Sequence, residues 1–225
     1  MLDLDWSSIP GALPFLWAGM VTTLEITCIA IAAGLAWGTL LALARLSTYK
    51  ALRIFASAYV NLFRSIPLVM VLLWFFLVVP ALLESLLGIP RSADTRLYSA
   101  MLAFALFEAA FYAEIIRAGV MSVPGGQMAA ACALGLSRGS ALRLVVLPQA
   151  LRNMLPLLLT QGIILFQDTS LVYVSALADF FGAAYKVGDR DGRLVELLLF
   201  AGAVYFLLCF SASLLVRRMR QQRGR

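Results

Sequence analysis

MSVPGGQMAAACALGLSRGSALRLVVLP, residues 121–148, decides how this chain is organised. The stretch reads as a short Ala-rich helix, a turn at Gly135, and a basic helix closed by Pro148. Long apolar segments flank it on both sides. Between two such segments a brief hydrophilic turn would suffice. A structured, mildly apolar insert of this length needs a partner to cover it. That points to a protein that is pushed by another protein.

Outward from the insert, the chain has a membrane composition. Of its 225 residues, 62% are hydrophobic and only 13% charged, far outside the norm for soluble domains. Several apolar runs reach the roughly 20 residues a helix needs to cross a bilayer. Five spans are predicted, near 16–44, 66–83, 97–116, 153–175 and 195–216. The runs are continuous rather than alternating, which excludes a transmembrane barrel. The expected fold is all-α: one integral membrane helical bundle over residues 1–225, with five transmembrane helices.

Asp3 and Asp5 stand where the basic n-region of a cleavable signal peptide would be needed. The first span is therefore expected to be a retained helix. Asp3–Pro14 reads as an extracytoplasmic lead-in, with Trp6 and Trp17 as interfacial anchors. Cys28, Cys132 and Cys209 read as small buried apolar residues rather than a disulfide framework. There is no histidine, and no Cys/His cluster has the spacing of a zinc site.

Charge placement sets the topology. Arg45, Lys50 and Arg53 follow the first span, and Arg117, Arg138, Arg143 and Arg152 follow the third. The tail carries Arg217, Arg218, Arg220, Arg223 and Arg225. The other two loops mix signs: Glu84, Arg91, Asp94 and Arg96 in one, Asp179, Lys186, Asp189, Arg190, Asp191 and Arg193 in the other. By the positive-inside rule the N-terminus is outside and the C-terminus inside. The net charge of +6 is then a topology signal, with some attraction to anionic headgroups, rather than a nucleic-acid signature.

Local patterns fill in the connections. Residues 53–64, RIFASAYVNLFR, predict an interfacial amphipathic helix that turns into the second span at Pro67. Gly34 and Gly38 have the GxxxG spacing that permits close helix contact, a pointer to a subunit interface. Gly192 and the run KVGDRDGR are read as the end of the last outer loop.

A charge at mid-bilayer costs about 2.5–3.5 kcal/mol on insertion scales, so such groups face protein or water. Glu25, Arg64, Glu108, Glu114 and Asp168 are the candidates. Glu114 and Arg117, spaced i, i+3, read as a structural pair that locks the helix end to the loop after it. Glu108 either hydrogen-bonds a neighbouring helix, lines a cavity, or pairs with Arg64. Arg64, just before Ser65, either staples a helix end or attracts an anionic substrate through its two-pronged guanidinium. The fourth span crowds Thr160, Gln161, Gln167, Asp168, Thr169 and Ser170 into one apolar segment. Gln161, Asp168 and, less well, Thr169 fall near one face at period 3.6. That face lines a hydrated path or bonds to neighbouring helices, and Asp168 can hold an ammonium group.

These residues match a known pattern. Ala129-Ala130-Ala131, then Gly135, then Val145 and Leu147-Pro148 resemble the cytoplasmic EAA loop of bacterial ABC importer permeases. The spacing is intact, with Ala129 standing where the family carries Glu. FRSIPLVMVLLWF (Phe63–Phe75), YAEIIRAG (Tyr112–Gly119) and LVVLPQALRNMLP (Leu144–Pro156) resemble polar amino acid permeases. LLLTQGIILFQDTSLVYVSALADFF resembles the glutamate/aspartate permease group within them.

The resemblance implies a type I importer permease whose coupling helix docks on an ATPase. Gln127, Ala129, Ala130, Ala131, Gly135, Arg138 and Pro148 would form the coupling surface. Arg64, Ser65, Glu108, Gln161, Gln167, Asp168, Thr169 and Ser170 would line the substrate pathway. It also implies two ATPase subunits, a second permease subunit and a periplasmic amino-acid-binding protein as partners, in the bacterial inner membrane. The chain itself would bind no cofactor. It has no GxxxxGK[ST] phosphate loop, so ATP and Mg belong to the partner ATPase. A permease for another polar amino acid such as glutamine, or a non-transporting assembly subunit, is the alternative. A membrane-embedded enzyme lacks support, since the spans hold no Ser-Lys or paired-Asp arrangement and no metal ligands.

Overall fold

The computed structural model describes residues 4–88, 90 and 94–223. Of the charges named above, Asp3, Arg91 and Arg225 lie outside the described residues, as does the side chain of Arg223. In chain order the elements are α1 (Ser8–Leu46), α2 (Lys50–Ser65), α3 (Leu68–Leu87) and α4 (Arg96–Met121). The insert holds α5 (Gly125–Ala133) and the single turn α6 (Arg138–Ala141). A π-helical turn, Leu142–Val146, leads into α7 (Leu147–Asp168), and a 3₁₀ stretch, Thr169–Ser175, ends it. α8 (Phe180–Asp191) and α9 (Leu194–Arg223) follow. Among the described residues, five helical segments are long and apolar enough to cross a membrane. They match the five expected spans one for one.

α4 is the hub. It packs most extensively on α1, and also on α7, α3 and α2. The reason is its row of small residues. Ala100, Ala103, Ala109, Ala110 and Ala113 are all fully buried, so neighbouring backbones approach closely. In a membrane, packing of this kind replaces the hydrophobic drive between helices. Gly38 of α1 lies against it so tightly that an added Cβ would sit 2.8 Å from the Ala109 carbonyl oxygen. Gly34 and Gly38 thus serve α1–α4 contact inside this chain, and not a subunit interface as their spacing suggested.

The entry to the second span follows expectation. α2 buries only Ala56 and Val60, and leaves Leu52, Ile54, Phe55 and Leu62 exposed, as an interfacial helix should. Pro67 caps α3 in an extended conformation after Ile66.

Four expectations are corrected. The lead-in is already helical from Ser8, with Pro14 inside the helix. Its apolar face, Ala12 and Leu16, is buried against Phe180, Ala183 and Val187. Those residues belong to α8, which forms where the outer loop was expected. Asp179 caps α8, accepting from the backbone N–H groups of Gly182 at 2.9 Å and Phe181 at 3.2 Å. Gly192, at φ 67°, closes it. KVGDRDGR is therefore mostly helix.

Pro148 does not close a helix either. It lies in the first turn of α7, and the π turn just before it absorbs the missing N–H and the ring's clash with the preceding carbonyl. Of the cysteines only Cys209 is buried; Cys28 is exposed and Cys132 half-buried.

Candidate functional site

The polar positions of α7 meet α4 in the middle of the bundle. Glu108 is fully buried. The Gln161 side-chain amide donates to both its carboxyl oxygens, at 3.0 and 3.4 Å. Asp168 lies two turns beyond Gln161 on the same face of α7. It is half-buried. Ser170 is half-buried and Gln167 exposed beside it.

Thr169 does not join this face. It is fully buried and donates its hydroxyl to the Phe166 carbonyl at 2.7 Å. The 3₁₀ winding that begins at Thr169 turns it toward the core.

Arg64 stands apart from Glu108. It is exposed at the end of α2, its guanidinium carbon 5.7 Å from the Phe111 ring centroid. That ring belongs to α4, one turn from Glu108, and its face attracts the cation. Ser65 is exposed next to it. Of the readings for Glu108, the hydrogen bond to a neighbouring helix is the one present, with Gln161, while Arg64 meets Phe111. α4 thus meets a cation through Phe111 and an amide through Glu108.

The second half of the site is the insert. Pro124 starts α5, and the Gln127 N–H bonds the Pro124 carbonyl at 3.0 Å. The end of α5 is a Schellman motif. The Gly135 N–H reaches the Cys132 carbonyl at 3.0 Å and the Leu136 N–H the Ala131 carbonyl at 3.2 Å. This motif requires a left-handed residue at Gly135, whose φ is 90°. Ser137 then caps α6, accepting from the Ser140 N–H at 3.2 Å. Gln127, Ala129, Ala130, Leu134 and Arg138 are exposed, whereas Ala131 turns inward. Pro148 is exposed in the first turn of α7.

Gln127 ties this surface to α7, and further contacts hold the ends of the spans beside it. The Asn153 amide donates to the Ser122 hydroxyl at 2.8 Å, joining α7 to the end of α4. Gln149 reaches Gln127 at 3.5 Å and the Val145 carbonyl at 3.0 Å. Glu114 pairs with Arg117, as expected, and also with Arg45 of α1. Sequence reasoning missed Arg45 and Asn153. Nothing local signals either contact, since their partners are 69 and 31 residues away.

Comparisons with known proteins agree with this geometry. Residues 30–224 match the family described as binding-protein-dependent transport system inner membrane component. The chain is 57% identical to the glutamate/aspartate import permease protein GltK of Escherichia coli O157:H7, over 99% of each chain. It is 32% identical to the arginine transport system permease protein ArtQ of Bacillus subtilis, over 92% of this chain and 91% of that one. Its fold is similar to the crystal structure of an amino acid ABC transporter with histidines, with a TM-score of 0.85 and 28% identity, over 98% of this chain and 100% of the other. The chain belongs to the binding-protein-dependent transport system inner membrane component family, as an ABC importer permease subunit that translocates rather than catalyses and works with ATPase subunits and a binding protein.

Proposed function

We propose that this chain carries glutamate and aspartate across a bacterial inner membrane, paired with a second permease subunit. Two ATPase subunits drive it and a periplasmic binding protein delivers the amino acid. Its N-terminus is periplasmic and its C-terminus cytoplasmic. ATP and Mg are used by the ATPases, and this chain binds neither. The whole of residues 1–225 acts as one permease domain.

The observation that carries this reading is a continuous link. The exposed α5 surface is joined through Gln127–Gln149 to the start of α7, which Asn153 and Ser122 hold to the end of α4. α7 itself carries Gln161 and Asp168. A push on α5 therefore moves α7 against α4 at the polar strip. α4 is steadied meanwhile by Glu114, which holds it to Arg45 of α1. Packed helices respond to such a push as bistable bodies rather than by continuous strain.

Glu25 supports a second permease subunit. It is exposed midway along α1, where lipid contact is costly, so a polar group of another chain is the better neighbour. The substrate follows from the likeness to GltK and from the charges at the strip. Arg64 meets the side-chain carboxylate, and Asp168 the ammonium.

The test is uptake of labelled amino acids by the reconstituted importer, with glutamate, aspartate, glutamine and arginine as competitors. Glutamate and aspartate should block uptake at the lowest concentrations. Preferential block by glutamine or arginine would overturn the substrate reading. Uptake independent of ATP would overturn the importer reading itself.

A further inference from the structure

α1 packs on α4 and α8, and α9 packs on α8 and α7. A crevice of about 480 Å³ opens along the inner part of the α1–α9 seam. Leu24 and Ile31 of α1, Leu155 and Leu159 of α7, and Leu208 of α9 line it, with Tyr112 and Gly162 at the floor. Leu24, Leu155, Leu159 and Leu208 are all exposed large side chains. A Cβ at Gly162 would meet only the Ile31 Cδ1, at 3.5 Å, so the crevice reaches down to the backbone of α7.

The lining from Leu24 to Leu35 runs about 17 Å along α1, an elongated and almost wholly apolar path that suits a hydrocarbon chain.

A cation marks one edge. The Arg220 guanidinium lies 3.4 Å from the Thr160 hydroxyl, next to Leu159. That hydroxyl already donates to the Pro156 carbonyl at 2.8 Å. No carboxylate among the described residues pairs with Arg220. Its charge is held against α7 and left without a counter-ion, on the side of the basic tail.

We propose that this crevice seats one acyl chain of an anionic phospholipid, with Arg220 holding the phosphate. Hydrocarbon then covers the exposed leucines, and the headgroup neutralises the unpaired guanidinium. The site does not depend on which amino acid the importer carries.

The test uses the complete importer complex in vesicles of phosphatidylcholine and phosphatidylglycerol. Each lipid is supplied in turn with a photoreactive diazirine in its acyl chain. Labelled peptides are then mapped. The phosphatidylglycerol probe should label residues 155–166 and 208–212 about fivefold more than the phosphatidylcholine probe, the factor one basic residue gives near an anionic leaflet. Arg220→Gln should bring that ratio close to one. Gly162→Leu fills the floor and should abolish labelling at these residues by both probes. If the Gly162 variant does not assemble, the Arg220→Gln ratio decides alone. Equal labelling by the two lipids in the unaltered complex would overturn the proposal, because any annular lipid would do that. So would unlabelled crevice peptides with a Leu208→Cys variant that crosslinks to the second permease chain.

Discussion

Gln161→Leu probes the polar strip at its weakest point. Glu108 is fully buried, and among the described residues only the Gln161 amide donates to its carboxyl. Leucine has nearly the volume of glutamine, so the packing change is small. What remains is a buried acid without a donor. Such a group costs about 1–3 kcal/mol, and more when ionised. At about 2–4 °C of Tm per kcal/mol for a chain of this size, the variant should melt roughly 2–12 °C lower. Adding Glu108→Leu removes the orphan. Replacing both members of a buried polar pair by apolar residues of similar size is often neutral or stabilising, so the double variant should regain its Tm. It should not regain uptake, because two of the residues expected to line the substrate pathway are gone. Thermal scans of the purified complex and uptake by vesicles read the two effects separately. An unchanged Tm for Gln161→Leu would refute the dependence of Glu108 on this one donor. Normal uptake by the double variant would remove the strip from the pathway.

Three other perturbations test separate parts. Gly135→Leu forces a branched side chain into φ 90°, at about 1–2 kcal/mol for a left-handed residue; ATPase activity of the complex should persist while uptake falls. Asp168→Asn removes the proposed ammonium partner, so the KM for glutamate should rise with little change in Tm; unchanged kinetics would make Asp168 structural. Burial pushes the Asp179 carboxyl up to about 7 from its ordinary 3.8, against the pull of its capped N–H groups and Lys186. Between those values the folded state holds a proton that the unfolded state releases. Stability should therefore fall as pH rises from about 4 to 7, by up to ~1.4 kcal/mol per pH unit. Thermal scans at pH 5 and pH 7.5 should show the higher Tm at pH 5, and Asp179→Asn should flatten the difference.

The spans were legible because a bilayer imposes one rule on length and polarity, and residues 68–87 or 194–221 obey it regardless of what they touch. The Gly135 turn was legible because only its own backbone decides it. Partners were not. Glu108 finds Gln161 across 53 residues and Glu114 finds Arg45 across 69. Periodicity places each group on a face but does not say which helix meets that face. α8 was hidden by its charges, which look like a loop when counted together. Read at period 3.6, its apolar residues Phe180, Ala183, Ala184 and Val187 share one face. Asp179 ahead of them is a capping residue. The face packs on the first helix, which is why the lead-in had to be helical too.

The same distinction bears on Ala129, where the family's loop carries glutamate. On α5 the exposed side chains from Gln127 to Leu134 are small or apolar apart from Gln127 itself, and the nearest charge is Arg138 in the next turn. Leu134 is 86% exposed at the tip, just before the Schellman turn. A partner therefore meets a smooth alanine surface ending in one leucyl knob, fixed in direction by Gly135. Contact of that kind resists displacement along the helix through shape, where a carboxylate would resist it through charge. Coupling at this surface should then be insensitive to salt, unlike an exposed ion pair. A Leu134→Ala variant should lose more ATP-driven uptake than an Arg138→Ala variant. The opposite order would show that charge, through Arg138, has taken over the role of the missing glutamate.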